Sequence, residues 1–453
     1  MIVKTVVRPE TEMKNSGIEY IGKIPNDWEV RKVGYLAAKI TDYVASGSFA
    51  TLAQNVQYLD EPDYARLIRT VDLSGSVNKQ PVYVSKEAYK FLSNSNLFGG
   101  ELILPNIGSV GCVYQYKKIY EHATLAPNSI LLDMKENNRF YFYWFSNPIV
   151  GESLKMLGNS TVQVKFNKSQ LRQYMLPRPP LSEQQAIADY LDETCSKIDE
   201  IIAEAKASID EYKELKQAVI FDGISLGTKS CCEYKKTTLE GIKKIPVAWE
   251  YRKLKFLIKY IESGVSVNAG NEPATELEYG VLKTSCVSKM FFIPSENKSV
   301  NKDEYARVKC PVCGNTIIVS RMNTPDLVGA CAYIEKNINN IFLPDRLWQV
   351  HFNDDVNVKY VYYCLISPYI RNYYSSLSTG TSSSMQNISQ GQFANAIIPY
   401  PSLEEQKEIV EFLDKRTAEI DSLIAEKESL INDLEAYKKS LIYEVVTGKR
   451  KVV

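Results

Sequence analysis

Histidine is scarce in this chain, and its charges cancel. The 453 residues include two histidines, His122 and His351, which lie far apart in the sequence. Two distant histidines are too few for a histidine-based catalytic triad or metal cluster. We expect each to be a strand residue whose hydrogen bonds are satisfied. Lysine plus arginine number 54, and aspartate plus glutamate also number 54. A polybasic nucleic-acid-binding chain is thereby excluded, so any DNA binding must use local patches or the charge of partner proteins.

Long apolar runs are also missing. No stretch reaches the 18 apolar residues that indicate a transmembrane helix. The opening MIVKTVVRPETEMKN has no apolar core of signal-peptide length. Nine cysteines scattered through a long chain fit a reducing compartment better than a disulfide scaffold. We expect a soluble, cytoplasmic protein.

Motifs for catalysis and cofactors are absent as well. The sequence contains no GxGxxG, no Walker loop and no glycine-rich methyl-donor fingerprint. Residues 310–313, CPVC, are half of a zinc knuckle. A tetrahedral site needs two further ligands, and the other cysteines and His351 have no matching pair spacing. We expect no catalytic residue, no cofactor bound by this chain and no metal, with CPVC serving as a structural feature of a hairpin.

The chain does contain an internal sequence repeat. Residues 182–221 recur at 404–443, and corresponding positions lie 222 residues apart without an insertion. Prolines precede both copies and prevent helix upstream. An internal repeat on this scale determines the architecture of the chain.

Each copy has the apolar spacing of a coiled-coil helix. At 1.5 Å per residue, each helix would be about 60 Å long. The positions that we predict for the two seams are Ile187, Leu191, Ile198, Ile201, Ala205, Tyr212, Leu215 and Val219, and Ile409, Leu413, Ile420, Leu423, Leu430, Leu434, Tyr437 and Leu441.

A second repeated motif, IPxxW, precedes each helix by about 150 residues. It places Trp28 and Trp249 at matching positions. The intervening regions have diverged but are rich in short β-branched and aromatic runs bounded by Gly, Pro and Asn, which is typical of strands. The fold class is therefore α+β, with two mixed α/β domains, a pair of long coiled-coil helices and an internal two-fold pseudo-repeat.

The linker between the copies predicts how the helices run. A coil of 15 to 20 residues reaches roughly 20 to 25 Å, much less than the helix length. We therefore expect the second helix to return antiparallel to the first, with one domain at each end. The predicted boundaries are 1–180 for the first domain with a tether at 1–23, 181–222 for the first helix, 223–244 for the linker, 245–401 for the second domain, 402–445 for the second helix and 446–453 for a tail.

Two polar glycine loops, residues 157–163 and 377–386, and several cations at strand ends have the side chains that recognition of base edges and phosphates requires. For any single cation, a solvated surface charge is the simpler interpretation, and the collective case is stronger. The candidate DNA-binding residues are Arg66, Arg69, Lys155, Asn159, Ser160, Thr161, Gln163 and Lys165 in the first copy, and Lys283, Arg321, Arg346, Thr379, Thr381, Ser382, Ser383 and Gln386 in the second.

The IPxxW motif, the closing helix with its SEQ or EEQ start and LD pair, and the Val446-Thr447-Gly448-Lys449 tail together resemble the DNA-specificity subunit of type I restriction-modification systems. This resemblance covers almost the whole chain. It implies two target recognition domains, each reading one half of a split duplex DNA sequence, and paired helices that set the gap between the halves.

The resemblance also implies partners. Two methyltransferase (modification) subunits would dock on the helices, and restriction/translocase subunits would join them. S-adenosylmethionine, ATP and magnesium would bind to those partners, and no membrane is involved. The helix residues that would carry pairing and docking are Glu183, Gln184, Leu191, Ile198, Leu215, Glu405, Gln406, Leu413, Ile420 and Leu434.

Two alternatives stay open. One is an orphan specificity protein that works with a methyltransferase and has no restriction partner. The other is a coiled-coil adaptor that binds protein rather than DNA, which the zero net charge favours. A nuclease or methyltransferase in one chain is disfavoured because its motifs are missing.

Overall fold

The computed structural model describes residues 5–75, 80–158, 164–228, 233–239, 241–377, 379–382 and 385–453, and of residues 379–382 and 385 it describes the backbone alone. The strands of the first half are β1 (Thr5–Val7), β2 (Met13–Asn15), β3 (Lys23–Pro25), β4 (Glu29–Lys32), β5 (Ala37–Asp42), β6 (Ala65–Ile68), β7 (Tyr83–Val84), β8 (Asn96–Leu97), β9 (Leu102–Pro105), β10 (Tyr114–Gln115), β11 (Ala123–Leu125), β12 (Ser129–Met134) and β13 (Met175–Arg178). Its helices are α1 (Val33–Leu36), α2 (Phe49–Asn55), α3 (Thr70–Leu73), α4 (Lys86–Phe91), α5 (Asn138–Ser146), α6 (Pro148–Lys155), α7 (Lys168–Gln173) and α8 (Leu181–Leu226).

Within the described residues, the second half has more strands and fewer helices than the first. Its strands are β14 (Tyr234–Lys236), β15 (Lys244–Pro246), β16 (Glu250–Lys253), β17 (Ile258–Ser263), β18 (Gly280–Leu282), β19 (Asn297–Ser299), β20 (Pro311–Val312), β21 (Thr316–Ser320), β22 (Met322–Asn323), β23 (Cys331–Ile334), β24 (Ile338–Phe342), β25 (Leu347–Phe352), β26 (Thr379–Ser382), β27 (Met385–Asn387), β28 (Ile397–Tyr400) and β29 (Arg450–Val452). Its helices are α9 (Val358–Ile366), α10 (Pro368–Leu377), α11 (Gln390–Ala394) and α12 (Leu403–Val446).

Each half carries two four-stranded sheets with the same strand order. In the first half the orders are β10-β9-β12-β5 and β7-β6-β11-β8, and in the second they are β23-β21-β25-β17 and β19-β18-β24-β20. One parallel pair occurs at the same place in each second sheet, β6 with β11 and β18 with β24. The halves are therefore two copies of one fold, as the spacing of their motifs predicts.

The chain divides into two compact units. Unit 1 comprises Met1–Ala205 and Ser429–Val453, and unit 2 comprises Lys206–Glu428. Each long helix therefore contributes a part to both units. The sequence-based boundaries treat each helix as a segment of its own, and those boundaries remain a prediction.

The core of unit 1 gathers its α/β domain around the long helices. Trp28 and Phe140 pack edge to face with their ring centroids 6.3 Å apart. The same core includes Leu191 of α8 and Val445 of α12. Because both helices share this core with the domain, their positions in unit 1 are fixed by apolar burial.

The N-terminal segment belongs to unit 1. In place of the tether predicted for residues 1–23, its described part carries β1 and β2. Strand β1 pairs antiparallel with β29 at the C-terminal end of the chain, and β2 pairs with β3. In unit 2, β14 and β15 repeat the pairing of β2 with β3 within the region predicted as a linker.

The core of unit 2 has the same plan. Trp249 and Tyr360 are buried with Ile220 of α8 and Leu413 of α12. A smaller apolar cluster combines Ile318 of β21 in the first sheet with Leu282 of β18 in the second. Unit 2 also has a three-stranded sheet, β22-β27-β26, formed by the polar glycine loop and the residues that follow β21.

The long helices run antiparallel, as predicted. In unit 1, Lys438 Nζ donates to Asp199 Oδ1 at 2.6 Å, while Gly448, just beyond α12, lies against Trp28, which bonds to Glu183 at the start of α8. In unit 2, Lys216 Nζ donates to Asp421 at 2.7 Å. The two ion pairs join corresponding residues of the repeat with their roles exchanged.

The predicted seam is wrong at several positions. Ile201 is 45% exposed, whereas its neighbour Ile202 is 8% exposed and packs in the seam. Leu215, Leu423, Leu430 and Tyr437 are likewise exposed, and the buried positions include Ile209 and Ile431. An interhelical seam advances by 3.5 residues per turn from Leu191, Cys195 and Ile198, and this spacing selects Ile202 and Ile209.

Candidate nucleic-acid interface

Both units bring three segments together at an equivalent place, where the inner strand of the first sheet ends. In unit 1 the Asn106 N–H, after β9, donates to the Asn128 carbonyl, before β12, at 3.1 Å. In unit 2 the Arg321 N–H, after β21, donates to the Arg346 carbonyl, before β25, at 3.2 Å. Strand pairing makes these bonds equivalent, because Ser129 faces Pro105 and Leu347 faces Ser320.

The end of the polar glycine loop joins the same place in each unit. The Phe166 N–H donates to the Asn106 carbonyl at 3.3 Å, and Asn106 Nδ2 donates to the Phe166 carbonyl at 3.0 Å. In unit 2 the Ile388 N–H donates to the Arg321 carbonyl at 3.1 Å. We name residues 106, 128 and 164–166 the first corner, and residues 321, 346 and 386–388 the second corner.

Close backbone packing fixes helix α6 beside the first corner. Gly111 has a φ of +96°, and a Cβ there would lie 2.8 Å from the Gly151 carbonyl oxygen of α6. Only glycine fits such an approach. Lys155, at the end of α6, reaches toward Gly111, and its ammonium donates to Glu152 at 2.5 Å. Lys155 is thus near the first corner but already has an acidic partner.

Of the predicted DNA-binding residues in unit 1, Arg66 and Arg69 do not lie open to solvent. Arg66 is 5% exposed, donates to the Val82 carbonyl and lies 3.2 Å from Asp72 Oδ1. Arg69 donates to both carboxylate oxygens of Asp72, at 3.0 and 2.8 Å. Burial would raise the pKa of Asp72, but hydrogen bonds from Arg69 and the charge of Arg66 hold it below its usual value. The three side chains form one ionic cluster.

The predicted residues of unit 2 divide in a similar way. Lys283, which corresponds to Arg69, lies 3.9 Å from Glu296. Arg321 and Arg346 meet in the second corner, where Arg321 Nε donates to the Asp345 carbonyl at 2.9 Å. Gln386 joins them from β27, opposite Asn323 of β22. Arg346 is exposed.

Other predicted residues belong to the two loops. Lys165 is exposed in the first corner, where its backbone forms an isolated antiparallel β-bridge with Ile107. Asn159, Ser160, Thr161, Gln163 and Ser383 lie outside the described residues. Thr379, Thr381 and Ser382 are described as backbone of β26 only.

Sequence reasoning missed Asn106 and Asn128. Aligning Pro127 with Pro344 by sequence alone would match Asn128 to Asp345, whereas strand pairing matches it to Arg346. Asn128 has a φ of +70°, which asparagine tolerates better than most residues. An Asn after a proline at a strand start is a signal for this turn, but its equivalence to Arg346 requires the strand register.

Comparison with known proteins places this duplicated fold. The sequence model of the type I restriction modification DNA specificity domain matches twice, at residues 25–211 and 246–433. The chain belongs to this family.

Relatives within the family align over different lengths. The MjaVIII specificity subunit of Methanocaldococcus jannaschii is 25% identical over 444 residues, covering 95% of this chain and 94% of that protein. The EcoEI specificity subunit of Escherichia coli is 26% identical over 173 residues, which cover 38% of this chain and 29% of that subunit. Both relatives are named specificity subunits of type I restriction enzymes, and membership of the DNA specificity family assigns this chain to the non-catalytic, DNA-recognising class.

The fold of this specificity protein matches a solved one. A chain of a structure titled for the complex assembly and conformational transition of the type I R-M system superposes with a TM-score of 0.64 at 12% identity. The match covers 94% of this chain and 99% of that chain. The predicted fold class is confirmed.

Residues at the start of the long helices have hydrogen-bond partners within their own unit, and in unit 1 they tie the domain to α8. Trp28 Nε1 donates to Glu183 Oε2 at 2.8 Å, and the other carboxylate oxygen of Glu183 pairs with Arg8. Gln184 and Gln406 are buried and donate to the carbonyls of Pro179 and Pro401, at 2.9 and 3.0 Å. These residues, which we predicted for pairing or docking, have structural partners within their own unit.

The remaining predicted helix residues divide between interior and surface. Leu191, Ile198, Leu413 and Ile420 are buried in the seam, and Leu434 is half-buried. Leu215 is exposed, and the Glu405 N–H donates to Ser402 Oγ at 3.3 Å.

The CPVC segment lies in unit 2 beside an acidic residue. His351 Nε2 is 2.7 Å from Glu262 Oε1, and Gln349 Nε2 lies 3.6 Å from Cys310 Sγ. Burial and the Glu262 carboxylate raise the pKa of the Cys310 thiol well above its usual value, so the thiol stays protonated at neutral pH. Within the described residues, no group of three His, Cys, Asp or Glu side chains is placed to hold a metal ion.

None of the helices in the described part of the chain combines the length and the apolar character that a bilayer span requires.

Proposed function

We propose that this chain recognises a bipartite duplex DNA sequence, one half-site through each unit, and directs methyltransferase and restriction subunits to that sequence. The observation that carries the proposal is the duplication of one fold with different residues at the same corner. The first corner has Asn106 and Asn128 where the second has Arg321 and Arg346. A repeated frame with changed base-reading side chains is what two unlike half-sites require.

The paired helices serve as the spacer in this proposal. The ion pairs Asp199–Lys438 and Lys216–Asp421 join the helices in unit 1 and in unit 2 respectively. Long helices packed antiparallel along a seam are stiff, so they are suited to set the length of the unspecified gap between half-sites.

Exposed apolar residues on these helices support docking of two like subunits. Ile201 and Leu423 occupy corresponding positions of the repeat, and so do Leu215 and Tyr437. All four are 40% exposed or more. Exposed apolar patches mark protein interfaces, and a duplicated patch fits two copies of one partner, which we propose are the methyltransferase subunits.

The proposal assigns the chemistry to the partners. S-adenosylmethionine, ATP and magnesium would bind to the methyltransferase and restriction/translocase subunits in the cytoplasm. The zero net charge of this chain then has a role, because phosphate contacts can be shared among several subunits.

Two measurements on the complex with its methyltransferase subunits test this function. Single-molecule sequencing of methylated bases should give a motif of two defined halves separated by a gap of fixed length. Binding to duplex DNA should weaken steeply as salt rises, since bound phosphates release counterions. A continuous motif would contradict the bipartite reading.

A protein adaptor is the second candidate, favoured by the zero net charge. It predicts that the complex binds duplex DNA no better than the methyltransferase subunits do alone. The same salt series, performed with and without this chain, distinguishes the two functions.

A further inference from the structure

We propose that Arg346 and Asn128 are the specificity-determining side chains of the two corners, Arg346 for a guanine in one half-site and Asn128 for an adenine in the other. This inference rests on the proposed function and deepens it, because it names the base that each unit selects and the atom groups that select it.

The two residues occupy one structural position. Each is the last residue before the inner strand of the first sheet, since β12 begins at Ser129 and β25 at Leu347. Each offers its carbonyl to the N–H of the residue that follows the neighbouring strand, Asn106 or Arg321. The position is thus common to both units while the side chain differs.

The backbone at this position is held on both sides. Ser129 and Leu347, which follow it, are buried at the starts of paired strands. In unit 2, Arg321 Nε fixes the preceding residue by donating to the Asp345 carbonyl at 2.9 Å. In unit 1, Asn106 Nδ2 fastens the loop end by donating to the Phe166 carbonyl at 3.0 Å. Arg321 and Asn106 are therefore positioning residues, and a reader placed on such a rigid frame is pre-oriented.

The side chains of Arg346 and Asn128 differ in their surroundings from those of the other cations that we predicted to bind DNA. Asp72 neutralises Arg66 and Arg69, and Glu296 lies beside Lys283. Arg346 and Asn128 are both exposed. Within the part of the chain that the structure describes, neither side chain has a hydrogen bond or ion pair, so their donors face solvent at the loop edge.

The chemistry of the two side chains selects different bases. A guanidinium can donate two parallel hydrogen bonds to O6 and N7 of guanine, and a carboxamide can pair with N6 and N7 of adenine. A lysine in place of arginine supplies charge without the planar fork. The loop residues of each corner, 164–166 and 386–388, follow polar stretches of the sequence, and polar side chains of this kind commonly contact phosphates.

The test uses the complete complex with its methyltransferase subunits. The variants are Arg346→Ala, Arg346→Lys and Asn128→Gly, the last because glycine accepts the φ of +70° at this residue. Lys336→Ala is the control, because Lys336 is another exposed cation of unit 2. The readouts are the methylated motif and competition binding with duplexes changed at single base pairs.

We expect Arg346→Ala to reduce the preference for guanine over other bases roughly 5- to 150-fold, at one base pair of one half-site. Arg346→Lys should lose most of the same preference. Asn128→Gly should reduce the preference for adenine at one base pair of the other half-site. Lys336→Ala should keep the wild-type motif. Weakening by Arg346→Ala that is uniform over all sequences would mean a phosphate contact and would overturn the assignment.

Failure of this inference is distinguishable from failure of the proposed function. A wild-type complex with a bipartite motif that all three variants retain would contradict the assignment of the readers alone. A wild-type complex that methylates no bipartite motif would contradict both. Thermal unfolding of each variant near the wild-type temperature confirms that the changes concern recognition rather than folding.

Discussion

At the scale of single residues, the helix start is the place where the domain of unit 1 is secured. Glu183 accepts from the buried Trp28 indole and pairs with Arg8, whose side chain is 6% exposed. In unit 1 the IPxxW and SEQ motifs thus have a shared physical basis, since the Trp28 indole donates to the Glu183 carboxylate. The sequence motifs predicted both residues but not this bond, because the partners are 155 residues apart.

Replacing Glu183 with Ala should destabilise unit 1 by about 3 to 5 kcal/mol, because a buried guanidinium and an indole N–H lose their acceptor. Glu193→Ala is a matched control on the same helix, where an exposed i,i+4 pair with Lys197 is lost. That change should leave the free energy of unfolding nearly unchanged, because a solvent-exposed ion pair contributes little. Denaturant unfolding measures both, and equal losses would show that Glu183 has no special role.

The ionic cluster around Asp72 should make unit 1 sensitive to acid. The pKa of Asp72 is below its ordinary value of 3.8, so its contribution to stability is present above that pH and is lost as the pH falls further. Asp72→Asn should lower stability at neutral pH by roughly 2 kcal/mol and flatten the pH dependence below 3.8. The exposed Asp60→Asn is the control. Unfolding midpoints from pH 7 down to 2.5 would refute this if the two variants gave parallel curves.

Residue roles at the candidate interface were the least predictable part of the chain. Arg66 has the composition and position of a reader, but folding places it against Asp72 and over the Tyr83 ring. Nothing in the local sequence marks the difference between Arg66 and Arg346. That difference comes from which acidic and aromatic side chains the sheets bring alongside each guanidinium.

At the scale of elements, the long helices were predictable in extent and direction, but the seam was not predicted correctly. Adjacent apolar pairs such as Ile201 and Ile202 leave the choice of face open when one helix is considered alone. The partner helix decides it, because Ile202 and Ile209 continue the heptad of Leu191 and Ile198. The residue left outside becomes available for another protein.

This pair of neighbours gives a matched test of the element. Ile202→Ala should cost about 2 to 4 kcal/mol, since it leaves a cavity in the seam. Ile201→Ala should change stability by less than about 1 kcal/mol but weaken association with the methyltransferase subunit. Thermal unfolding and a pull-down titration measure the two effects. Equal destabilisation by both changes would contradict the observed seam.

At the scale of the whole molecule, the internal repeat was sufficient to predict two copies of one α+β fold. It did not predict that each copy has two four-stranded sheets with a parallel pair at the same place, because the strands in question are short and their register depends on distant partners. The match between Asn128 and Arg346 likewise appeared only with the strand pairing.

If the paired helices are the spacer, lengthening both by one heptad should lengthen the gap in the recognised sequence. Seven residues inserted near Ala205 and seven near Ile431 keep the seam in register and add about 10 Å of helix. The gap should grow by about three base pairs. An insertion of seven residues in α8 alone is the control and should impair pairing of the helices. An unchanged gap in a complex that still methylates DNA would show that the helices set no distance.

The most direct measurement exchanges residues 30–176 for the corresponding segment of another family member with a known motif, and then maps methylated bases by single-molecule sequencing. If each unit reads its own half-site, the new motif keeps one half and the gap length and replaces the other half. A motif in which both halves change, or in which neither changes, would contradict this account.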